Sequence, residues 1–262
     1  TTLFRSGCKQ KILKAAEVNN VKIEISGEIL TAQGHRRQID TFIANLKEIE
    51  AEQRKMYYPK NWDFTLEEPL ALIPLKKGSE EYFEIGSLFC KTMGGREIVS
   101  LSRIQNKYLM DHFVNMIQTL EELRPGDDLN RKMLFHGTRQ TLPEDVYGNF
   151  DMGFDLQYAN QGMFGKGLYF ALNASYSHAY AYRTQKGTNI MIVADVLLGK
   201  CYKCNSYSGG LYGQGAVTPN SIKNPRDLIK PPKGYDSVES HQDTFIVYSH
   251  FRVYPLYLIE YV

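Results

Sequence analysis

Apolar side chains recur along the chain at two spacings, and each spacing predicts an element. Val21, Ile23 and Ile25 alternate with polar partners, the mark of a half-buried strand, and Gly27 ends it. Ile39, Phe42, Ile43, Leu46 and Ile49 return at helical spacing, with Arg36, Arg37, Asp40, Lys47, Glu48 and Glu50 on a solvated opposite face. Residues 8–56 therefore read as helix, strand, helix. Pro59 then marks a boundary, because proline disfavours helix at the residue before it. A short strand follows at 70–75, interrupted by Pro74. Ser79 caps a helix whose first residues, Glu80 and Glu81, suit the positive end of its dipole. That helix is expected to bury Phe83, Leu88 and Phe89 and to end near Gly94 and Gly95. A strand at 97–104 precedes a longer helix carrying Leu109, Phe113, Met116, Ile117, Leu120 and Leu123. An apolar run at 131–135 then leads into His136-Gly137-Thr138.

The second half is richer in strands. Residues 162–180 read as a glycine-punctuated loop, a strand at 168–172 and a helix opened by Asn173 or Ser175. The strand at 189–198 is the most apolar of the chain, and the last strands fall at 244–248 and 257–262. Between 199 and 234, scattered Gly and Pro predict extended loops. Helices early and strands late give an α+β arrangement rather than an alternating parallel one. Residues 1–57 are too short for a convincing complete domain. They are similar to the tail of a KH-like module, or a linker, and lack the Gly-x-x-Gly loop that a nucleic-acid role would want.

Composition narrows the class. Of 262 residues 43% are apolar, ample for a core, and a net charge of +2 with mixed signs predicts no strong nucleic-acid or membrane field. No run is long and apolar enough to span a bilayer, and no signal peptide is evident. The chain begins at Thr1 and is expected to be a piece of a longer one. Cys8 and Cys90 stand alone, which argues for reduced thiols in an intracellular compartment, cytoplasmic or nuclear. Cys201 and Cys204 form a C-x-x-C without the second ligand pair a structural zinc site needs, so no metal is expected.

Two phosphate motifs fail. Gly162-Met-Phe-Gly165-Lys166-Gly167 lacks the spacing and the Ser or Thr of a Walker A loop, and the glycines at 210, 213 and 215 lack a dinucleotide fingerprint's context. What remains is an ordered set: His136-Gly137-Thr138, Gly165-Lys166-Gly167-Leu168-Tyr169-Phe170-Ala171, Ser175-Tyr176-Ser177 with Tyr180, and Thr244-Phe245-Ile246-Val247-Tyr248. Arg103-Ile104-Gln105-Asn106 at the opening of the long helix and Tyr235-Asp236-Ser237-Val238 accompany it. Over residues 58–262 this set resembles the catalytic domain of PARP-type, diphtheria-toxin-like ADP-ribosyltransferases, mono-transferring and similar to the macrodomain-bearing subgroup.

The resemblance implies a fold of two packed, mostly antiparallel sheets with flanking helices, and NAD as co-substrate. It implies catalytic roles for His136, Tyr169 and Thr244, and NAD contacts from His136, Gly137, Thr138, Tyr169, Ala171, Ser177 and Tyr180. Gly137 would offer backbone hydrogen bonds to the nicotinamide carboxamide, with the Ser177 hydroxyl completing the clamp. Tyr180 would stack on the nicotinamide, Tyr169 would flank it, and His136 would donate to the adenosine ribose. His178 is expected as an exposed helix residue. Two departures matter. Polymerising members carry Glu where this chain has Thr244, and adjacent Asp243 would point to the other face of a strand. In the segment over the dinucleotide, Leu156-Gln157 stand where several relatives have Arg. The resemblance thus implies transfer of one ADP-ribose unit to a protein acceptor. The competing readings are a weak or silent interaction module, with a ubiquitin ligase as partner, and an NAD hydrolase using the same pocket.

Overall fold

The computed structural model describes residues 8–26, 29–203, 225–240 and 243–262. The chain divides into two compact units, Thr1–Trp62 and Asp63–Val262. Cys204 and the glycines at 210, 213 and 215 lie outside the described residues, as does Gly27.

In the first unit, helix α1 (Cys8–Val18) is followed by strands β1 (Lys22–Ser26) and β2 (Ile29–Gln33) and by helix α2 (Arg36–Lys55). The sequence predicts one strand here, but the structure has an antiparallel pair, Lys22 opposite Gln33. Ile29-Leu30-Thr31-Ala32-Gln33 has no clean alternation of its own; pairing with β1 makes it a strand. Cys8, Ile12, Ala15, Ala16, Val21 and Phe42 form the buried core of this unit, with Ile39, Leu46 and Ile49 against it. Ile43 leaves the expected stripe and is exposed.

The second unit begins with β3 (Leu70–Pro74), α3 (Glu80–Cys90), β4 (Ile98–Asn106), α4 (Lys107–Leu123) and β5 (Arg131–His136). Ser79 caps α3 by accepting from the Tyr82 amide at 3.2 Å. The buried face of α3 is Ile85 and Phe89; Phe83, expected inside, is 74% exposed because it falls outside that stripe. Arg103-Ile104-Gln105-Asn106 ends β4 rather than opening the helix. Its Asn106 is the cap of α4, accepting from Leu109, and Arg103 is buried against Glu81 at 2.7 Å. Helix α4 buries Leu109, Met110, Phe113, Val114, Ile117 and Leu120, each fully buried large side chain contributing roughly 1.5–3 kcal/mol. Leu123, expected on the same stripe, is exposed in the helix's last turn.

Next come α5 (Pro143–Tyr147), β6 (Gln161–Gly162), β7 (Gly165–Lys166), β8 (Leu168–Ala171), α6 (Ala174–His178), β9 (Tyr182–Arg183) and β10 (Asn189–Leu197). The chain closes with β11 (Cys201–Lys203), β12 (Ser237–Glu239), β13 (Thr244–Val247) and β14 (Val253–Tyr261). The strand order is β11-β12-β13-β8-β5-β10-β14-β4-β3, with β9 on β10. Among the described residues only β11 and β12 pair in parallel; the other ladders are antiparallel, so this is an α+β fold with helices flanking mostly antiparallel sheet. Its two halves, β11-β12-β13-β8 and β5-β10-β14-β4-β3, meet at one ladder pair, Phe135 opposite Ala171. One buried cluster draws on both halves, with Leu168, Phe170, Phe245 and Val247 packed among Leu134, Ile192, Ala194 and Val196.

Candidate active site

The single pair joining β5 to β8 makes a fork, and the residues singled out by sequence gather around it. His136 ends β5, one residue past Phe135. Its Nδ1 lies 2.7 Å from the Tyr169 carbonyl oxygen on β8. A carbonyl only accepts, so Nδ1 carries the hydrogen. The ring is enclosed by Phe154 and Phe170, each with its centroid 5.1 Å away. Burial holds the His136 pKa below the usual histidine value, against the opposing effect of the Tyr169 carbonyl. Neutral and hydrogenated at Nδ1, the imidazole presents a lone pair at Nε2. It offers a ligand hydroxyl an acceptor, not the donor that the resemblance implies.

On β8 and β13, Ala171 faces Thr244 and Tyr169 faces Ile246 across the ladder. Alternation puts Tyr169, Ala171 and Thr244 on one face of this half. Phe170, which meets His136, turns to the opposite face among the core residues. The structure therefore brings Tyr169, Ala171 and Thr244 together directly, and ties His136 to them through a main-chain oxygen. Thr244 is 3% exposed. Asp243 beside it has a left-handed φ of 51° and is exposed, at a bend just before β13 rather than as the next strand residue.

Tyr169 is wired to the loop before it. Its hydroxyl accepts from the Phe164 amide at 2.9 Å and donates to the Gly165 carbonyl at 2.9 Å. Burial pushes its pKa up to about 12, so it stays a neutral phenol. Tyr248 adds a second brace, donating to the Phe164 carbonyl at 2.6 Å.

Gly137 lies just past the last β5–β10 pair, Ile192 opposite His136. The backbone of Tyr180 and Ala181 passes so close that a Cβ on Gly137 would meet the Tyr180 carbonyl and stand 2.7 Å from the Ala181 nitrogen. Thr138 turns inward, its hydroxyl donating to the Thr141 carbonyl at 2.7 Å, which makes it a builder of the following turn. Ser177 on α6 is buried and donates to the Phe135 carbonyl at 3.0 Å rather than to its own helix. Its oxygen keeps lone pairs to accept a ligand N–H.

Three neighbours take places that the sequence reading does not assign them. Arg139, at a left-handed φ of 54°, donates its amide to the Tyr180 carbonyl at 2.8 Å, and its guanidinium stands 4.3 Å from the centre of the Tyr180 ring. Tyr248 is the brace just described. His178, expected to be exposed, is half-buried and bonded to Tyr261 and Arg96. Arg139 sits directly after His136-Gly137-Thr138, a positional hint; the other two depend on partners more than 80 residues away, which no local pattern records.

Residues 79–262 match the poly(ADP-ribose) polymerase catalytic domain. The chain belongs to that family. It is 35% identical over 214 residues to a probable poly(ADP-ribose) polymerase of Dictyostelium discoideum, covering 78% of this chain and 57% of that protein. It is 29% identical over 215 residues to the human protein mono-ADP-ribosyltransferase PARP11, covering 78% of this chain and 63% of that one. With human PARP14, also a protein mono-ADP-ribosyltransferase, it shares 29% identity over 214 residues, 11% of that protein's length. The chain thus spans less than two thirds of these relatives. As a PARP-family domain it carries the fold of an NAD-dependent transferase related to the mono-ADP-ribosyltransferases. Among the described residues, no helix is long and apolar enough to cross a membrane.

Proposed function

We propose that residues 58–262 transfer a single ADP-ribose unit from NAD to a protein acceptor, with residues 1–57 serving as a KH-like tail or linker. The observation that carries this reading is the convergence at the β5–β8 fork. There the bare Nε2 of His136, the backbone of Gly137, the Ser177 oxygen and the Tyr180 ring lie on adjoining segments.

Each group then has one task. Gly137 would bond the nicotinamide carboxamide through its backbone, and Ser177 would accept a carboxamide N–H. Tyr180 would stack on the nicotinamide ring, and Tyr169 would wall the pocket with Ala171 leaving room beside it. Thr138 would hold the turn, and His136 would accept from an adenosine ribose hydroxyl. In the reaction the bond between the ribose carbon and the nicotinamide nitrogen breaks, its electron pair leaving with nicotinamide. The acceptor's nucleophile bonds to that carbon. The transition state resembles an oxocarbenium ion, so holding leaving group and ribose in line contributes through orientation and fixed dipoles.

Thr244 decides between one unit and many. A buried carboxylate could polarise the hydroxyl of a growing chain; a neutral hydroxyl accepts far more weakly. The set of His136, Tyr169 and Thr244, and kinship with the macrodomain-bearing subgroup, belong to this same reading. An acidic acceptor side chain would supply the missing carboxylate itself.

A second reading, a catalytically weak or silent interaction module, is favoured by the same Thr244 and by Leu156-Gln157 where an arginine would reach a phosphate. Incubation with labelled NAD separates the two. Under the transferase reading, label appears on protein as single units and disappears in His136→Ala. Binding of NAD without any labelling sinks transfer, and chains of ADP-ribose sink the argument from Thr244.

A further inference from the structure

Helix α6 carries Ser177 and leads into Tyr180, and at five residues it is too short to hold its own place. Its position is set from outside. Ala174 is fully buried, the Ser175 amide donates to Thr92 Oγ1 at 3.3 Å, and Ser177 is bound to the Phe135 carbonyl. A further tether is His178. Its Nδ1 lies 2.8 Å from the Tyr261 hydroxyl oxygen on β14, and its Nε2 lies 3.3 Å from Nη2 of Arg96 in the α3–β4 connection.

These two partners fix the ring's state. A guanidinium only donates, so Nε2 must be bare, and Nδ1 carries the hydrogen and donates to Tyr261. The charged or titratable groups facing the ring are Arg96 from the α3–β4 connection and Tyr261 from β14. The phenol of Tyr261, which burial pushes up to about 12, is neutral at any ordinary pH. Burial, and after it the Arg96 charge, lowers the His178 pKa. Protonation would place a second N–H and a positive charge against the guanidinium, turning an attraction into a repulsion.

We infer that neutral His178 is a positioning residue, linking β14 and the α3–β4 connection to the Ser177–Tyr180 segment, and that its protonation loosens the site's grip on NAD as pH falls. The inference rests on the reading of Ser177 and Tyr180 as nicotinamide contacts. It differs from the effect of protonating His136, which acts at the ligand itself.

Long-range proton–nitrogen spectra of the protein without ligand, taken from about pH 8 to about pH 5, should show His178 as the Nδ1–H tautomer at the alkaline end and protonated on both nitrogens as pH falls. The backbone amides of Ser177 and Tyr180 should shift along the same titration. Calorimetric NAD affinity should weaken several-fold over that titration. His178→Asn keeps a donor at the Nδ1 position, gives up the bond from Arg96 and cannot titrate; it should lose that part of the pH dependence. His178→Lys should bind weakly throughout. An Nε2–H tautomer, or amides that ignore the titration, overturns the relay whatever NAD does. An unchanged pH profile in His178→Asn overturns it as well. Failure of the wild type to bind NAD at any pH counts against the proposed function instead, and the tautomer and amide shifts still decide the relay.

Discussion

At Gly137 the backbone at the fork packs tightly against a neighbouring segment. A methyl group there would drive into the Tyr180 carbonyl and the Ala181 amide, main-chain atoms that cannot swing aside as a flexible side chain can. The same tight approach carries the Arg139 amide to the Tyr180 carbonyl, so displacing one strand of this contact displaces the other. Gly137→Ala is expected to cost about 1–3 kcal/mol, the usual penalty for overpacking. It should also weaken nicotinamide binding, because Gly137 and Tyr180 would separate. Thermal unfolding and nicotinamide titration of the same variant check both, and an unchanged binding constant would count against Gly137 as a contact. At the residue scale, the order of His136, Gly137, Tyr169, Ser177 and Tyr180 drew attention in the sequence, and the fold sets them on adjoining segments around the fork. Arg139 was not legible, since nothing in a sequence tells an arginine stacked on a ring from one in solvent.

At the scale of elements, the loop from Gln161 to Gly167 is held by phenols rather than by its own ladder, which has only two pairs. Tyr169 satisfies the Phe164 amide and the Gly165 carbonyl, and Tyr248 satisfies the Phe164 carbonyl. Gly165 itself needs its left-handed φ of 78°, and Leu228 occupies the space a side chain would take. Tyr169→Phe keeps the ring and deletes only the hydroxyl, leaving a part-buried amide unpaired. The expected cost is about 1–3 kcal/mol, seen as a lower Tm and as faster hydrogen exchange at the Phe164 amide. If exchange there is unchanged, the hydroxyl does not anchor the loop. Sequence placed the strand at 168–172 and the helix after it nearly to the residue, because hydrophobic period and cap residues are local signals. It missed β2, whose strand character comes from its partner. It also misjudged Phe83, since an apolar type at a helix position does not reveal which side the neighbouring sheet lies on.

Across the whole molecule, an ion cluster joins segments that the hydrophobic pattern could not connect. Asp236 takes two bonds from Arg124 at the end of α4 (2.7 and 2.9 Å) and one from Arg252 before β14 at 2.8 Å. A fourth comes from the Lys200 amide at 3.0 Å. Burial works against the carboxylate, but these bonds outweigh it and hold its pKa below the usual aspartate value. The side chains of Asp236 and Arg252 are only 10% and 12% exposed, so little water could replace a lost partner. Removing one member of such a cluster is worse than never having built it, because the remaining charges stay buried and unpaired. Asp236→Ala is therefore expected to destabilise the second unit by about 3–5 kcal/mol, measured by denaturant unfolding. Asp236→Asn, which keeps the shape and loses the charge, should still fall well below wild type. The sign with pH also follows. A depressed carboxylate pKa contributes stability that is fully present above the unfolded value, near 3.8, and is lost as pH drops through the folded one. The gap between wild type and Asp236→Asn should therefore close as the solution is acidified below that range. A gap that persists in acid would mean that packing around Asp236, not its charge, holds the two arginines in place.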